Sequence, residues 1–264
     1  ALDEGESLHT LFSYFDLMGF PWKKLDEDCF DEVVIGEDTY AFANKHQRFY
    51  ERMAARFPKE REGLKKYVTF LKEVGDHIFG VFKGDEHKRY TYSLLSRSAY
   101  EFLNETIKDP LLRKVLSGTS LKMELNASTL PLYTFAQIND SFIRSAWRLR
   151  GGGSQIADKL VEGILSMGGE VKTHAAVTYI KEENGKVVGV TVNDEDYLET
   201  DWIVSSVHPA HTISLVKDSK ALRNIYRNRI AHLDNTFGMF TANIRLKPGL
   251  LPYVNKNIYV HRAD

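Results

Sequence analysis

One stretch of the chain, residues 150–209, carries the pattern best suited to binding an anionic cofactor. Three glycines, Gly151, Gly152 and Gly153, precede Ser154, a residue type that favours the start of a helix. A glycine turn lets backbone N–H groups approach an anion, and the helix dipole stabilises that anion. Taken alone, the three glycines are better explained as a tight loop, because they lack the G-x-G-x-x-G spacing of a dinucleotide-binding turn.

Two extended segments in the same stretch add backbone positions that could face a ligand. Residues 176–180 are typical of a short strand, whose backbone N–H and C=O groups could pair with the edge of a purine. Residues 202–206 predict a buried apolar strand that ends in Ser206, shortly before His208-Pro209. Each segment by itself is better explained as part of a sheet, so only their order and spacing carry information.

In that order, the pieces resemble the second half of FAD-dependent flavoproteins of the amine-oxidase type. The resemblance is greatest to the branch of phytoene desaturases, carotenoid isomerases and retinol saturases. This family shows a GG-x-x turn before a helix, a G-x-E-V strand, an x-x-V-x-x-I strand, a hairpin rich in V-x-G-V, and A-D-x-V-V-S-x-x-x-P. The matching segments here are 151–154, 169–171, 176–180, 187–190 and 200–209. Weaker similarity at 57–64, 109–116, 241–250 and 257–261 extends the resemblance over nearly the whole chain.

The resemblance implies roles for particular residues. Val177 would pair its backbone with the FAD adenine, Gly151 and Gly152 would lie by the flavin, and Ser206 would lie beside the ribityl–phosphate stretch. Aromatic side chains of the helical middle are candidates for lining a substrate cavity, although each fits plain core packing better: Phe102, Tyr133, Phe135 and Trp147. Arg148 and Arg150 flank the glycine turn, where they could contact a phosphate or the head group of a substrate; a solvated basic loop explains them at least as well. No catalytic acid or base is identified from the sequence.

The activity that the resemblance implies is FAD-dependent oxidation, reduction or isomerisation of C=C or C–C bonds. The substrate would be polyene-like or retinoid-like, with hydride exchanged at flavin N5, and an NAD(P) partner is compatible with this chemistry. The sequence contains neither the family's N-terminal G-x-G-x-x-G nor its C-terminal FAD-contacting segment. We therefore expect an internal fragment that is inactive alone and holds no FAD. Its expected partners are the missing FAD-binding segments of the same protein, and an exposed apolar docking face would favour self-association.

Two other functions stay open at this point. An amine-oxidase-like flavoenzyme would act on C–N bonds and would need an aromatic cage opposite the flavin. A non-catalytic binding module would keep the fold and lack the cofactor. The missing dinucleotide turn favours the module, whereas an internal fragment explains the same absence more simply.

Composition narrows the function classes. Among 264 residues, 43% are hydrophobic and 27% charged, which is ordinary for a globular protein. A net charge of −1 gives no field to recruit nucleic acid. Cys29 is the single cysteine, so no intrachain disulfide can form, and the scattered histidines predict no metal site. We expect a cytoplasmic location, with peripheral membrane contact allowed by the lipophilic substrate class.

The hydrophobic periodicity predicts an α+β fold. It would combine a mixed or antiparallel sheet of a substrate domain, a helical subdomain, and part of a Rossmann-like FAD-binding domain without its G-x-G-x-x-G unit. The predicted segments are 1–45, 46–150, 151–210 and 211–264.

Helices are expected over 7–18, 45–55 (capped by Asn44), 59–79, 96–107, 110–118, the first half of 130–147, and 154–167, with a loop at 84–90. Strands are expected over 33–35, 39–43, 171–173, 177–181, 186–192, 197–200, 202–206, 237–246 and 258–261, with a type I′ turn at Asn184-Gly185.

Overall fold

The computed structural model describes residues 1–77, 84–124, 126, 128–217, 219 and 221–263. The chain divides into two compact units: the first comprises Ala1–Leu160 with Phe237–Asp264, and the second comprises Val161–Thr236. The segment boundaries expected from the sequence, at 45, 150 and 210, stay predictions.

Helices dominate the first unit. They are α1 (Ser7–Tyr14), α2 (His46–Arg56), α3 (Arg61–Asp76), α4 (Asp85–Leu95), α5 (Ala99–Thr106), α6 (Pro110–Ser117) and α7 (Leu132–Arg144), with 3₁₀ turns at Pro58–Glu60 and Ser120–Lys122. Local signals set several of the starts. Asp109 accepts backbone N–H bonds from Leu111 and Leu112, and Pro110 occupies the first helical position, as the sequence predicts.

Two small sheets complete the first unit. Strand β1 (Trp22–Lys24) pairs antiparallel with β4 (Trp147–Leu149). The other sheet contains β2 (Asp31–Ile35), β3 (Asp38–Phe42) and β8 (Asn257–His261) in the order β3-β2-β8. Strand β2 is antiparallel to β3 and parallel to β8, so this sheet is mixed. The strand expected at 258–261 is therefore confirmed.

The core of the first unit lies between this mixed sheet and the helices. Sheet residues such as Val33 and Phe42 pack with Tyr67 and Leu71 of α3 and with Phe135 of α7. Aromatic ring contacts link α2, α3 and α7. The ring centroids of Phe49 and Tyr67 are 6.3 Å apart, as are those of Tyr67 and Phe135. Because such cores are packed as densely as organic crystals, they hold the surrounding elements in fixed positions.

The second unit is an antiparallel meander with short helices. Strands β5 (Val177–Glu183), β6 (Lys186–Val192) and β7 (Asp196–Glu199) lie in that order, and α9 (Pro209–Leu215) and α10 (Asn224–Ala231) follow. Helix α8 (Ser154–Ser166) begins in the first unit and ends in the second. Asn184 and Gly185 have φ values of 52° and 80°, the positive values that a type I′ turn requires.

Several expectations from the sequence are wrong. Residues 85–95 form helix α4 instead of beginning as a loop, because the buried Thr91 and Leu94 provide an apolar face. Segments 171–173, 202–206 and 237–246 are irregular, not strands. Val204 is fully exposed and Phe240 is 94% exposed. Their apolar alternation predicts strands, but a strand also needs a partner along its backbone, and alternation cannot provide one.

The start of helix α2 differs from the one that the sequence predicts. Asn44 does not cap α2: its side chain is turned inward, and its Nδ2 donates to the Phe142 carbonyl at 2.8 Å. Lys45 occupies the cap position and makes no side-chain capping bond. The expected end of the following helix, at Ile78 and Phe79, lies outside the described residues.

Candidate functional site

The glycine turn has an open outer face and a fixed shape. Gly151 and Gly152 have φ values of 88° and 99°, which favour glycine. A Cβ on Gly152 would meet no heavy atom within 4 Å. The side chain of Gln155 closes the turn from within α8, since its Nε2 donates to the carbonyls of Arg150 at 2.8 Å and Gly152 at 2.9 Å. The turn is therefore shaped before any ligand arrives.

Val177 begins the outer strand of the meander, and it is 38% exposed. The preceding residue, Ala176, accepts the Asn193 N–H at 2.8 Å and donates its own N–H to Asn193 Oδ1 at 2.9 Å. In an extended strand, successive residues direct their backbone groups to opposite sides. The N–H and C=O of Val177 therefore face the free edge of β5. Beside them, the Thr178 hydroxyl is buried without a hydrogen-bond partner among the described residues.

Ser206 belongs to an irregular, exposed segment and not to the expected strand. Its neighbour Ser205 exchanges a 2.7 Å hydrogen bond with Thr212 of α9, and His208 Nδ1 accepts the Ala210 N–H. No hydrogen bond in the described part of the chain joins Ser206 to Val177. Gly151 and Gly152 belong to the first unit, whereas Val177 and Ser206 belong to the second.

The four aromatic candidates fall into different surroundings. Phe102 is a core residue whose ring lies tilted against that of Phe70, with centroids 4.5 Å apart. Tyr133 is partly buried against the same core, and burial raises its pKa, which a bond with Gln137 partly offsets. Trp147 lies on β4, where its indole N–H donates to Ser145 Oγ at 3.2 Å. Phe135 is fully buried and also lines a cavity. The structure thus brings Phe102 and Phe135 into one core, with Tyr133 packed against it.

This cavity lies within the first unit and has a volume of about 390 Å³. The ends of β2 and β8 form one wall, and α5, α6 and α7 form the others. Its apolar lining comes from Ile35, Ala99, Leu103, Leu130 and Phe135. Apart from Phe135, sequence reasoning missed these residues, because they come from segments far apart in the chain and share no motif.

A buried ion pair holds the sheet next to the 3₁₀ turn at Ser120–Lys122. The Lys122 ammonium lies 2.5 Å from Asp31 Oδ2 and 3.7 Å above the Phe142 ring. Burial lowers the pKa of Lys122, and the charge of Asp31 opposes that effect. Burial, with a smaller contribution from Asp31, raises the pKa of Tyr259. The group therefore joins β2, β8 and the turn in a structural role.

Among the described residues, no group of three or more His, Cys, Asp or Glu could hold a metal ion. Within the same residues, no helix is long and apolar enough to cross a membrane.

The family model described as "Flavin containing amine oxidoreductase" matches residues 22–236. These residues include α2 to α10 and every residue proposed above for the cofactor or the substrate.

Three curated proteins are similar to this chain. The all-trans-retinol 13,14-reductase of Danio rerio is 27% identical over 250 residues, covering 83% of this chain and 40% of that protein. The lycopene-forming phytoene desaturase of a Paracoccus strain is 22% identical over 67% of this chain and 37% of its own length. The chloroplastic prolycopene isomerase of Daucus carota is 25% identical over 61% and 29%. The chain therefore spans well under half the length of these relatives.

Solved structures show the same fold at low identity. An oxidoreductase from Methanosarcina mazei superposes with a TM-score of 0.59 at 17% identity, over 86% of this chain and 50% of that chain. Cyclohexylamine oxidase from Brevibacterium oxydans gives a TM-score of 0.52 at 14% identity, over 86% and 50%. Both matches support a mixed helix-and-sheet fold.

Proposed function

This chain belongs to the family of flavin-containing amine oxidoreductases, and we propose that it forms part of a FAD-dependent enzyme acting on C=C or C–C bonds. The substrate class would be a polyene-like or retinoid-like lipid. The observation that carries the proposal is the 27% identity to a retinol 13,14-reductase over 250 residues. Similarity to a phytoene desaturase and a prolycopene isomerase supports the same substrate class.

The residues that would hold FAD fit that role locally. The glycine turn is open at Gly152, which admits close approach by a ligand, and it leads into the N-terminus of α8. Val177 offers a backbone N–H and C=O at a free strand edge, which suits the donor–acceptor edge of adenine. The Thr178 hydroxyl beside it is buried and has no hydrogen-bond partner among the described residues, which costs stability. Ser206 is exposed and available as a further polar contact.

Bound FAD would supply hydride acceptance or donation at its N5. The residues of this chain would bind and orient FAD and the substrate. Gln155 would keep the glycine turn in its open shape, and β5 would present its edge to the adenine. The first unit would supply the apolar surroundings for a lipophilic substrate. We assign no proton donor or acceptor.

We also propose that FAD-binding segments outside residues 1–264 complete the site. Exposed apolar side chains such as Trp202, Val204 and Phe240 support this proposal, since large apolar groups in contact with water mark surfaces that other elements cover. By the same reasoning, residues 1–264 alone would bind FAD weakly, remain inactive and tend to self-associate. Peripheral contact with a membrane would give access to a lipid substrate.

Turnover by the protein expressed from its complete reading frame tests the function. The protein, loaded with FAD, would be incubated with all-trans-retinol, phytoene or prolycopene, and in parallel with putrescine and cyclohexylamine. We expect a change in conjugated double bonds, seen in the absorption spectrum and by chromatography, with one of the three lipids. Flavin reduction by the amines alone would overturn the substrate class and favour an amine oxidase. No turnover by a protein that does bind FAD would also contradict the proposal.

A further inference from the structure

The cavity between the mixed sheet and α5 to α7 combines an apolar floor with a basic rim. Ala99, Leu103 and Phe135 in its floor are almost completely buried. Lys114, His261 and Arg262 contribute to its rim. Its volume of about 390 Å³ lies within the range of about 300–1,000 Å³ typical of small-molecule sites.

The two rim cations have no carboxylate partner in the described part of the chain. Lys114 Nζ donates to the backbone carbonyl of Ala263 at 3.1 Å, which leaves its charge uncompensated. Arg262 forms no ion pair with any described residue. Unneutralised cations at the mouth of an apolar cavity attract an anion.

Other polar groups of the cavity wall also affect its charge and its capacity for hydrogen bonds. His261 Nε2 contacts the Gly118 carbonyl at 2.8 Å, so this nitrogen carries the proton and Nδ1 is left for another partner. Among the described residues of the lining, Glu124 is the one acidic group, and its carboxylate accepts the Asn126 N–H at 2.9 Å. Lys114, Arg262 and Glu124 together give the described lining one net positive charge. The Ser120 hydroxyl in the wall is buried without a partner among the described residues.

We propose that this cavity binds an amphiphilic monocarboxylate. The apolar body would lie against Leu103, Leu130 and Phe135, and the carboxylate would lie at the rim between Lys114 and Arg262. An uncharged lipid would make the apolar contacts but would leave both cations unpaired. A dianion would bring its second negative charge to the cavity, where the Glu124 carboxylate would repel it. The site therefore favours a single negative charge at one end of an apolar molecule. This assignment needs neither flavin nor turnover and goes beyond the proposed function.

Fluorescence titration of the 264-residue protein with cis-parinaric acid tests the proposal. Its methyl ester has the same apolar chain and no charge. We expect saturable binding of the acid, competition by dodecanoate, and weaker binding of the ester. The informative variant is Lys114→Met/Arg262→Met, which keeps side-chain length and removes both charges at exposed positions. We expect its affinity for the acid to fall about tenfold, as for the loss of two partly exposed ion pairs.

A matched control removes the same charge elsewhere. Arg61→Met/Lys66→Met changes two exposed residues of α3 that do not line the cavity, so its affinity for the acid should stay within twofold of the parent. Ser117→Leu adds an apolar side chain at the cavity wall and should weaken the acid and the ester alike. Equal affinity of the parent for acid and ester would overturn the proposal. So would unchanged binding in the Lys114→Met/Arg262→Met variant, given an unaltered circular dichroism spectrum.

Discussion

The two units of this chain reach stability by different means. The first unit has an extended core in which sheet and helix side chains interlock around Tyr67 and Phe135. The core of the second unit contains Ile180, Val190 and Val192, with a few partly buried neighbours. Packing therefore holds the first unit, whereas backbone pairing within a meander holds the second. Val177 and Ser206, proposed for the cofactor, lie on the exposed surface of the less packed unit.

Removal of a buried cation from the first unit should have the largest effect. Lys122→Met leaves the Asp31 carboxylate, which is 1% exposed, without its ammonium partner and with a single bond from Asn257. We expect a loss of about 3 kcal/mol in the free energy of unfolding, because an unpaired buried charge is costly. Urea denaturation followed by circular dichroism measures it.

The matched control is an exposed pair in the second unit. Lys181→Met removes the partner of Glu183 on β5, where both side chains are in water, and should leave the denaturation midpoint unchanged. If the two variants lost similar stability, the contrast between the units would be wrong.

A pair of glycine substitutions sharpens the same contrast. Gly75 of α3 lies against the buried Asp140, and a Cβ there would come within 1.8 Å of Asp140 Oδ2. Asp140 cannot simply move, because it bonds His46 and Arg144. We expect Gly75→Ala to cost about 2 kcal/mol by overpacking, as measured by urea denaturation.

Gly163 of α8 provides the comparison, since a Cβ there meets no heavy atom within 4 Å. Gly163→Ala should stabilise by up to about 1 kcal/mol, as expected for alanine replacing glycine in an open helix position. Destabilisation by Gly163→Ala equal to that of Gly75→Ala would show that helix α8 is more tightly surrounded than described.

The hairpin turn should control the second unit locally. Gly185 has a φ of 80°, so Gly185→Ala should cost about 1 kcal/mol through steric strain. The effect should appear as faster amide hydrogen exchange in β5 and β6, with exchange in α3 unchanged. Asn184→Gly keeps a residue that tolerates positive φ and should leave exchange slow. Equal exchange rates in both variants would show that the turn does not determine the pairing register of β5 and β6.

The smallest effect concerns the single thiol. Burial raises the pKa of Cys29, so less thiolate is present in the folded chain than in the unfolded chain at the same pH. Alkylation by iodoacetamide at pH 8 should therefore be slower without urea than with it. Mass spectrometry measures the alkylation rate. Equal rates with and without urea would show that Cys29 is exposed to water in the folded chain.

Local signals explain what the sequence predicted well. The start of α6 follows from Asp109-Pro110, and the hairpin follows from Asn184-Gly185, because each depends on a few adjacent residues. The segments at 202–206 and 237–246 were predicted wrongly, since strand pairing depends on distant partners. The open glycine turn follows from residue type. The cavity could not be predicted, because Ile35, Lys114 and Arg262 meet only through the tertiary fold.

The central claim is that this chain belongs to an enzyme that holds FAD. The most direct measurement is the absorption spectrum of the protein purified from its complete reading frame, before and after addition of FAD and removal of the excess. The account predicts flavin absorption bands that remain with the protein in a one-to-one ratio. A colourless protein that retains no added FAD would contradict it.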